Sequence, residues 1–154
     1  MNVELRRMTV EDVPAVAELD RISFALPWPE RSFRFEVNDN PASRCYVAEV
    51  DGRMAGTIVA WLLVDELHIA TIATHPDFRR QGIAQELLSH VLKLSIKEGA
   101  LSSFLEVRES NLGAQAMYRK FGYEEVGRRP RYYKDNEEDA ILMTLEIIQE
   151  QLGG

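Results

Sequence analysis

The chain has 154 residues, of which 45% are hydrophobic, 28% charged and 8% aromatic, as expected of one soluble domain with a sizeable core. With 25 acidic and 18 basic residues its net charge is −7, which argues against non-specific nucleic-acid binding because phosphate neutralisation needs a basic face. The single cysteine, Cys45, excludes an internal disulfide and a multi-thiolate metal site.

Val3 to Met8 alternates weakly and predicts a first strand. Thr9 offers a helix cap with Asp12 in the capping-box position, and Val13, Val16, Ala17 and Ile22 continue at helical spacing to about residue 23. Pro27 and Pro29 then deny backbone donors, and a short helix follows from Pro29 to Val37 with Phe33 and Val37 on one face. Cys45 to Val50 and Met54 to Val64 read as a hairpin about the Asp51-Gly52 turn. Leu67 to Thr74 is a further β-like run. The helix after it places Ala84, Leu87, Leu88, Val91, Leu92 and Ser95 on one face and stops at Gly99. Ser102 to Val107 predicts a buried strand. Asn111 to Phe121 predicts a helix offering Leu112, Ala116, Tyr118 or Met117, and Phe121 to the core. Strands at about Tyr123 to Arg129 and Ala140 to Leu145 close the order β-α-α-β-β-β-α-β-α-β-β. That is an α/β domain with a mixed sheet, without the strict alternation of a doubly wound fold. The expected domain is 1–146, with a polar tail over 147–154.

The N-terminal stretch has no apolar core of the signal-peptide type, and the longest apolar run, Thr57 to Val64, falls far short of the ~20 residues a bilayer requires. The expectation is a cytoplasmic chain with no membrane partner. Three separated histidines and one cysteine argue against a metal site. Cys45 itself reads as a small packing residue, and His75 and His90 as a loop and a helix-surface residue.

The most informative segment is His75 to Ala84, where Arg79-Arg80-Gln81-Gly82-Ile83-Ala84 lies between a predicted strand and a predicted helix. Such a turn exposes backbone N–H groups at a helix N-terminus, where the dipole also favours an anion. Gly82 admits a phosphate close to the backbone, Ala84 keeps the next turn small, and Arg79 and Arg80 supply charge. A surface arginine pair before an ordinary helix is the alternative. Neither a P-loop nor the three-glycine dinucleotide fingerprint is present.

The strand–(R-x-x-G-x-A)–helix unit of Arg79, Gly82 and Ala84 resembles the acetyl-coenzyme A pyrophosphate loop of the GNAT acetyltransferases. Glu106, Arg108, Ser110, Asn111 and Tyr118 resemble the L-E-V-R-x-S-N stretch and following tyrosine of its RimI-type branch, the ribosomal-protein-alanine N-acetyltransferases. Pro27-Trp28, Phe121-Gly122-Tyr123 and Tyr132-Tyr133 before Glu138-Asp139-Ala140 fall in the same order along the chain.

The resemblance implies the GNAT fold, a central, mostly antiparallel sheet flanked by helices. It implies acetyl-CoA as co-substrate and a protein N-terminal α-amine as acceptor, the N-terminal alanine of ribosomal protein S18. Ile72, Ala73, Thr74, Arg79, Arg80, Gln81, Gly82, Ile83, Ala84, Gln85 and Asn111 would hold the cofactor. Glu106 would be the base and Tyr118 the acid, with Trp28, Tyr132 and Tyr133 gripping the substrate. Such chemistry needs a base, because an α-amino group of pKa about 7.7–8.0 is mostly protonated at neutral pH.

Bland readings stand beside these. Glu106 could simply pair with Arg108, and Tyr118 could be a core residue. His68, two residues after Glu66, competes for the base role but fits a strand histidine better. The loop Arg128 to Lys134 is basic and aromatic, and Asp135 to Asp139 is acidic and would suit a basic peptide, though solubility explains such charges as well. Lysine side chains, a small amine, or a non-catalytic CoA-binding sensor are the alternative functions.

Overall fold

The computed structural model describes residues 2–147, so the expected tail lies outside the described residues from 148 onward. Seven strands, β1 (Val3–Arg7), β2 (Ser43–Val50), β3 (Arg53–Leu63), β4 (Glu66–Thr74), β5 (Ser102–Arg108), β6 (Glu124–Arg129) and β7 (Ala140–Glu146), form one mixed sheet. Its order is β1-β2-β3-β4-β5-β7-β6. The β4–β5 pair is parallel, while β1–β2, β2–β3, β5–β7 and β6–β7 are antiparallel. The helices are α1 (Val13–Ser23), α2 (Glu30–Asn38), α3 (Ile83–Lys97) and α4 (Leu112–Lys120). The expected element order is the observed one.

The contacts cluster into two compact units. The first comprises Met1–Trp61 and Ala70–Leu94. Its entry into α1 is fixed by the capping box, in which the Thr9 backbone N–H donates to Asp12 Oδ2 at 2.8 Å. Arg6 grips the same carboxylate through two hydrogen bonds of 2.7 and 2.8 Å, which holds Asp12 below its usual range. Met8, Val13, Val16, Phe33, Cys45, Val47 and Val59 make a core against which Trp28 and Val37 pack. Cys45 is buried with its thiol 2.7 Å from Ser43 Oγ. Ile22, expected on the apolar face of α1, is 41% exposed; Leu19 and Asp20 complete the buried face instead. His90 packs edge-on against Tyr46, with ring centroids 4.8 Å apart, and burial lowers its pKa.

The second unit comprises Leu62–Ile69 and Ser95–Gly154. On β5, Ser103, Leu105 and Val107 are buried, whereas Phe104, Glu106 and Arg108 share the less buried face, as the period of two requires. Tyr123 donates to Ser103 Oγ at 2.7 Å, and Ser103 donates to the Leu67 carbonyl at 2.8 Å, so a buried relay joins the end of α4 to β5 and β4. The core face of α4 differs from the expected one. Leu112 is 71% exposed and Ala116 is exposed, while Gln115 and Tyr118 are buried. The Gln115 amide donates to the Arg108 and Glu109 carbonyls, which an apolar side chain could not do.

Candidate active site

Within the first unit, the approach to α3 is pinned before the loop begins. Pro76–Phe78 form a 3-10 turn, Phe78 is buried, and His75 Nδ1 accepts from the Asp77 N–H at 3.1 Å. Arg53 pairs with Asp77 at 2.7 Å and lies over the Phe78 ring at 4.9 Å. The loop then turns through Arg80 at φ +63° and Gly82 at φ +78°. A turn of this kind at the entry to a helix can offer backbone N–H groups to an anion. A positive φ at a non-glycine such as Arg80 is uncommon and clusters at functional sites.

Arg79, Arg80, Gln81 and Gln85 are exposed, Ile83 is buried, and Ala84 is half-buried. Among the described residues no acid pairs with Arg79 or Arg80, and their charge is free for a ligand. A Cβ on Gly82 would meet nothing within 4 Å, so its requirement there is the backbone angle.

Gly56 of β3 is a site determinant that sequence reasoning passed over. A Cβ on it would lie 2.7 Å from Ile83 Cγ2 and 2.9 Å from the Ala73 carbonyl. The first turn of α3 therefore packs directly on β3 because position 56 has no side chain. The signal in the sequence was a glycine inside an otherwise apolar strand. Ile72 and Thr74 are half-buried on β4 with Ala73 buried between them.

Trp28 lies in the α1–α2 loop, stacked on Trp61 with centroids 6.4 Å apart and tilted against Phe33 at 5.3 Å. Its backbone N–H donates to Asp20 Oδ2 at 2.7 Å, and burial pushes the Asp20 carboxyl up. Trp61 in turn donates from Nε1 to the buried Glu36 carboxylate at 2.8 Å. Trp28 borders an open groove of about 490 Å³ with Pro27, Pro29 and Phe35.

Within the second unit, β4 and β5 pair from Glu66↔Ser102 to Ile69↔Leu105, and Glu106 is the next residue on β5. Its carboxylate stands 3.7 Å from Arg129 Nε and its side chain is 23% exposed. Hydrogen bonding to Glu106 is the first cause that raises the Tyr132 hydroxyl, and the same negative charge helps burial push Tyr133 up to about 12. Tyr118 is buried, edge-on to Tyr123 at 5.7 Å, and pushed up to about 12 by burial and then by Tyr133. One unit thus brings together Glu106, Tyr118, Tyr132 and Tyr133. A buried phenol that keeps its proton far above neutrality is a donor, and an accessible carboxylate is an acceptor.

The reading of Glu106 as the partner of Arg108 is corrected. Both lie on one face of β5, but Arg108 is bound to Asp135 at 3.1 Å and Glu138 at 3.3 Å and lies over the Tyr133 ring at 4.0 Å. Hydrogen bonds from the Ser110 hydroxyl first, and then from its N–H, pull the Glu138 carboxyl down to about 2, and the Glu138 carbonyl accepts from the Tyr133 N–H at 3.1 Å. From the other side the buried Gln115 donates to the Arg108 and Glu109 carbonyls at 3.0 and 2.9 Å. Glu138, named in the sequence only as a landmark of the resemblance, and Gln115, not singled out there, therefore lock the end of β5 to the tyrosine loop and to α4.

Asn111 caps α4, its side chain accepting from the Ala114 N–H at 3.2 Å. His68 is 2.5 Å from Glu66 and packs on Phe104 at 5.3 Å. In the basic loop, Arg128 pairs with Glu109 at 2.9 Å and lies near Glu125 and Asp139. Among the described residues, no helix is long and apolar enough to cross a membrane, and no group of three His, Cys, Asp or Glu could hold a metal ion.

A mixed seven-stranded sheet, an anion-ready turn opening α3 and a carboxylate–phenol cluster beyond the β4–β5 pairing define a GNAT acetyltransferase. The chain belongs to the Acetyltransferase (GNAT) family, which matches residues 13–123. It is 38% identical over 143 residues to the putative ribosomal protein bS18-alanine N-acetyltransferase of Bacillus subtilis, covering 93% of this chain and 95% of that protein. The ribosomal protein bS18-alanine N-acetyltransferase of Escherichia coli K12 is 34% identical over 138 residues, with 88% and 92% covered. The crystal structure of an Escherichia coli ribosomal-protein-S18-alanine N-acetyltransferase superposes with a TM-score of 0.88 at 32% identity, over 95% of this chain and 94% of that one. Ard1 from Thermoplasma volcanium gives 0.87 at 25% identity, over 96% and 99%.

Proposed function

We propose that this chain is a cytoplasmic enzyme that moves the acetyl group of acetyl-CoA to a protein N-terminal α-amine, with residues 1–146 as its catalytic domain and the N-terminal alanine of ribosomal protein S18 as acceptor. The observation that carries the reading is the pairing of roles in the second unit: Glu106 is accessible and able to accept a proton, while the buried Tyr118 retains one to about pH 12. Two relatives that cover most of this chain are named for that acceptor, which supports the choice of substrate.

Acetyl-CoA supplies the activated acetyl group. The free N–H groups of the Arg80–Gly82 turn and the guanidinium groups of Arg79 and Arg80 would hold its pyrophosphate. Ile72, Ala73 and Thr74 on β4 would present backbone N–H groups to the acetyl carbonyl, Gln81, Ile83, Ala84 and Gln85 complete the cradle, and the Asn111 amide remains able to donate. Glu106 would take the proton of the incoming ammonium, so that a neutral amine attacks. Tyr118 would return a proton to the departing thiolate, the second proton lost by the attacking nitrogen would recharge the phenol, and Glu106 would release its proton to solvent. Trp28, Tyr132 and Tyr133 would grip the first residues of the peptide.

Incubation with acetyl-CoA and a basic peptide that begins with alanine and contains one lysine tests this by mass spectrometry. The expected product carries one acetyl group on the α-nitrogen, with equimolar free thiol. Acetylation of the lysine alone would move the acceptor to a side chain. Cofactor binding with no transfer to any amine would make the chain a CoA sensor.

A further inference from the structure

The two arginines that reach the tyrosine cluster of the second unit are held very differently. Arg108 is fixed by two carboxylates and by the face of Tyr133 at 4.0 Å, and its side chain is only 25% exposed. Arg129, on β6, has one acidic neighbour among the described residues, the Glu106 carboxylate at 3.7 Å, beyond hydrogen-bond length, and its side chain is 54% exposed. Its other contact is the Tyr132 ring, with the guanidinium 5.6 Å from the centroid. An exposed pair of this length is among the weakest ionic contacts in proteins. Arg108 therefore belongs to the scaffold, whereas Arg129 is a cation resting loosely on the carboxylate assigned as the base.

We propose that Arg129 is a placeholder for the substrate ammonium: it neutralises Glu106 while the site is empty and swings out when a positively charged N-terminus arrives. The proposal rests on Glu106 being the group that receives the amine. Two cations cannot both sit on one small carboxylate without repulsion, so the entering ammonium and Arg129 compete. Arg129 can leave because its stem is anchored on the exposed edge strand and its head keeps only the Tyr132 face. After transfer the product nitrogen is an uncharged amide with no claim on the carboxylate, and Arg129 returns. The exchange costs the charged acceptor part of its affinity and leaves that of the uncharged product, which does not contest the carboxylate, unaltered. Arg129 acts here on substrate affinity; it takes no proton and touches no bond that forms or breaks.

Calorimetric binding of an alanine-initiated peptide and of its N-terminally acetylated form, both in the presence of coenzyme A, separates the possibilities. Arg129→Gln should tighten the free-amine peptide two- to fivefold and leave the acetylated peptide unchanged. Arg129→Lys should bind both like the unsubstituted protein. In a Glu106→Gln background the gain from Arg129→Gln should vanish, since there is no charge to compete for. Weaker or unchanged binding of the amine peptide, or equal tightening of both peptides, overturns the placeholder while leaving the N-terminal reading intact. If neither peptide binds the unsubstituted protein, that reading fails and the placeholder falls with it.

Discussion

Burial sets the chemistry of three tyrosines. Tyr118, Tyr123 and Tyr133 all have hydroxyls raised chiefly by desolvation, Tyr118 and Tyr133 to about 12. In the unfolded chain each would ionise near pH 10. Between those values the folded protein keeps protons that the unfolded chain releases, so stability is fully present below pH 10 and falls as pH rises toward 12. Urea denaturation measured from pH 9 to 12 should show that decline, with Tyr118 contributing on the order of 2 kcal/mol. Tyr118→Phe should flatten part of the slope; an identical slope would mean that the phenol titrates as it does in water.

Elements carry the next part of the account. The loop before α3 was legible in the sequence because its arginines, glycine and alanine sit between a strand pattern and a helix pattern. The seat of α3 was not, since Gly56 acts through contacts with Ile83 and Ala73 that are distant in the chain. Gly56→Ala must push Ile83 aside and approach a carbonyl that cannot yield easily, at a cost of roughly 1–3 kcal/mol. It should also weaken coenzyme A binding several-fold, because the displaced first turn bears the N–H groups proposed to hold the pyrophosphate. Titration of coenzyme A into the folded variant checks this, and unchanged affinity would detach the Gly82 turn from cofactor binding. Helix α4 shows the same limit. Periodicity assigned Leu112 to the core, yet the buried position went to Gln115, whose amide donates to the Arg108 and Glu109 carbonyls. Hydrophobic spacing reads apolar faces well and cannot see a carbonyl that another strand will present.

At the scale of the whole molecule, the net charge of −7 conceals where charge is available. Arg128 of the 128–134 loop is matched by Glu109, and nearby Arg108 by Asp135 and Glu138. Among the described residues, Arg79 and Arg80 have no acidic partner at the turn that opens α3, which is where a pyrophosphate would be held. Composition alone said that a polyanion was a poor partner; the pairing shows why one local dianion is a good one. Fold, family and the order of motifs were accessible from the sequence, whereas the partners of Glu106 were not, since Arg129 and Tyr132 meet it across a hairpin. The claim on which the chemistry depends is that Glu106 accepts the amine proton. The most direct measurement is the turnover of Glu106→Gln on an alanine-initiated peptide, alongside its coenzyme A affinity. The account predicts a fall in kcat of about 10²–10⁴-fold with cofactor affinity unchanged; wild-type turnover in that variant would contradict it.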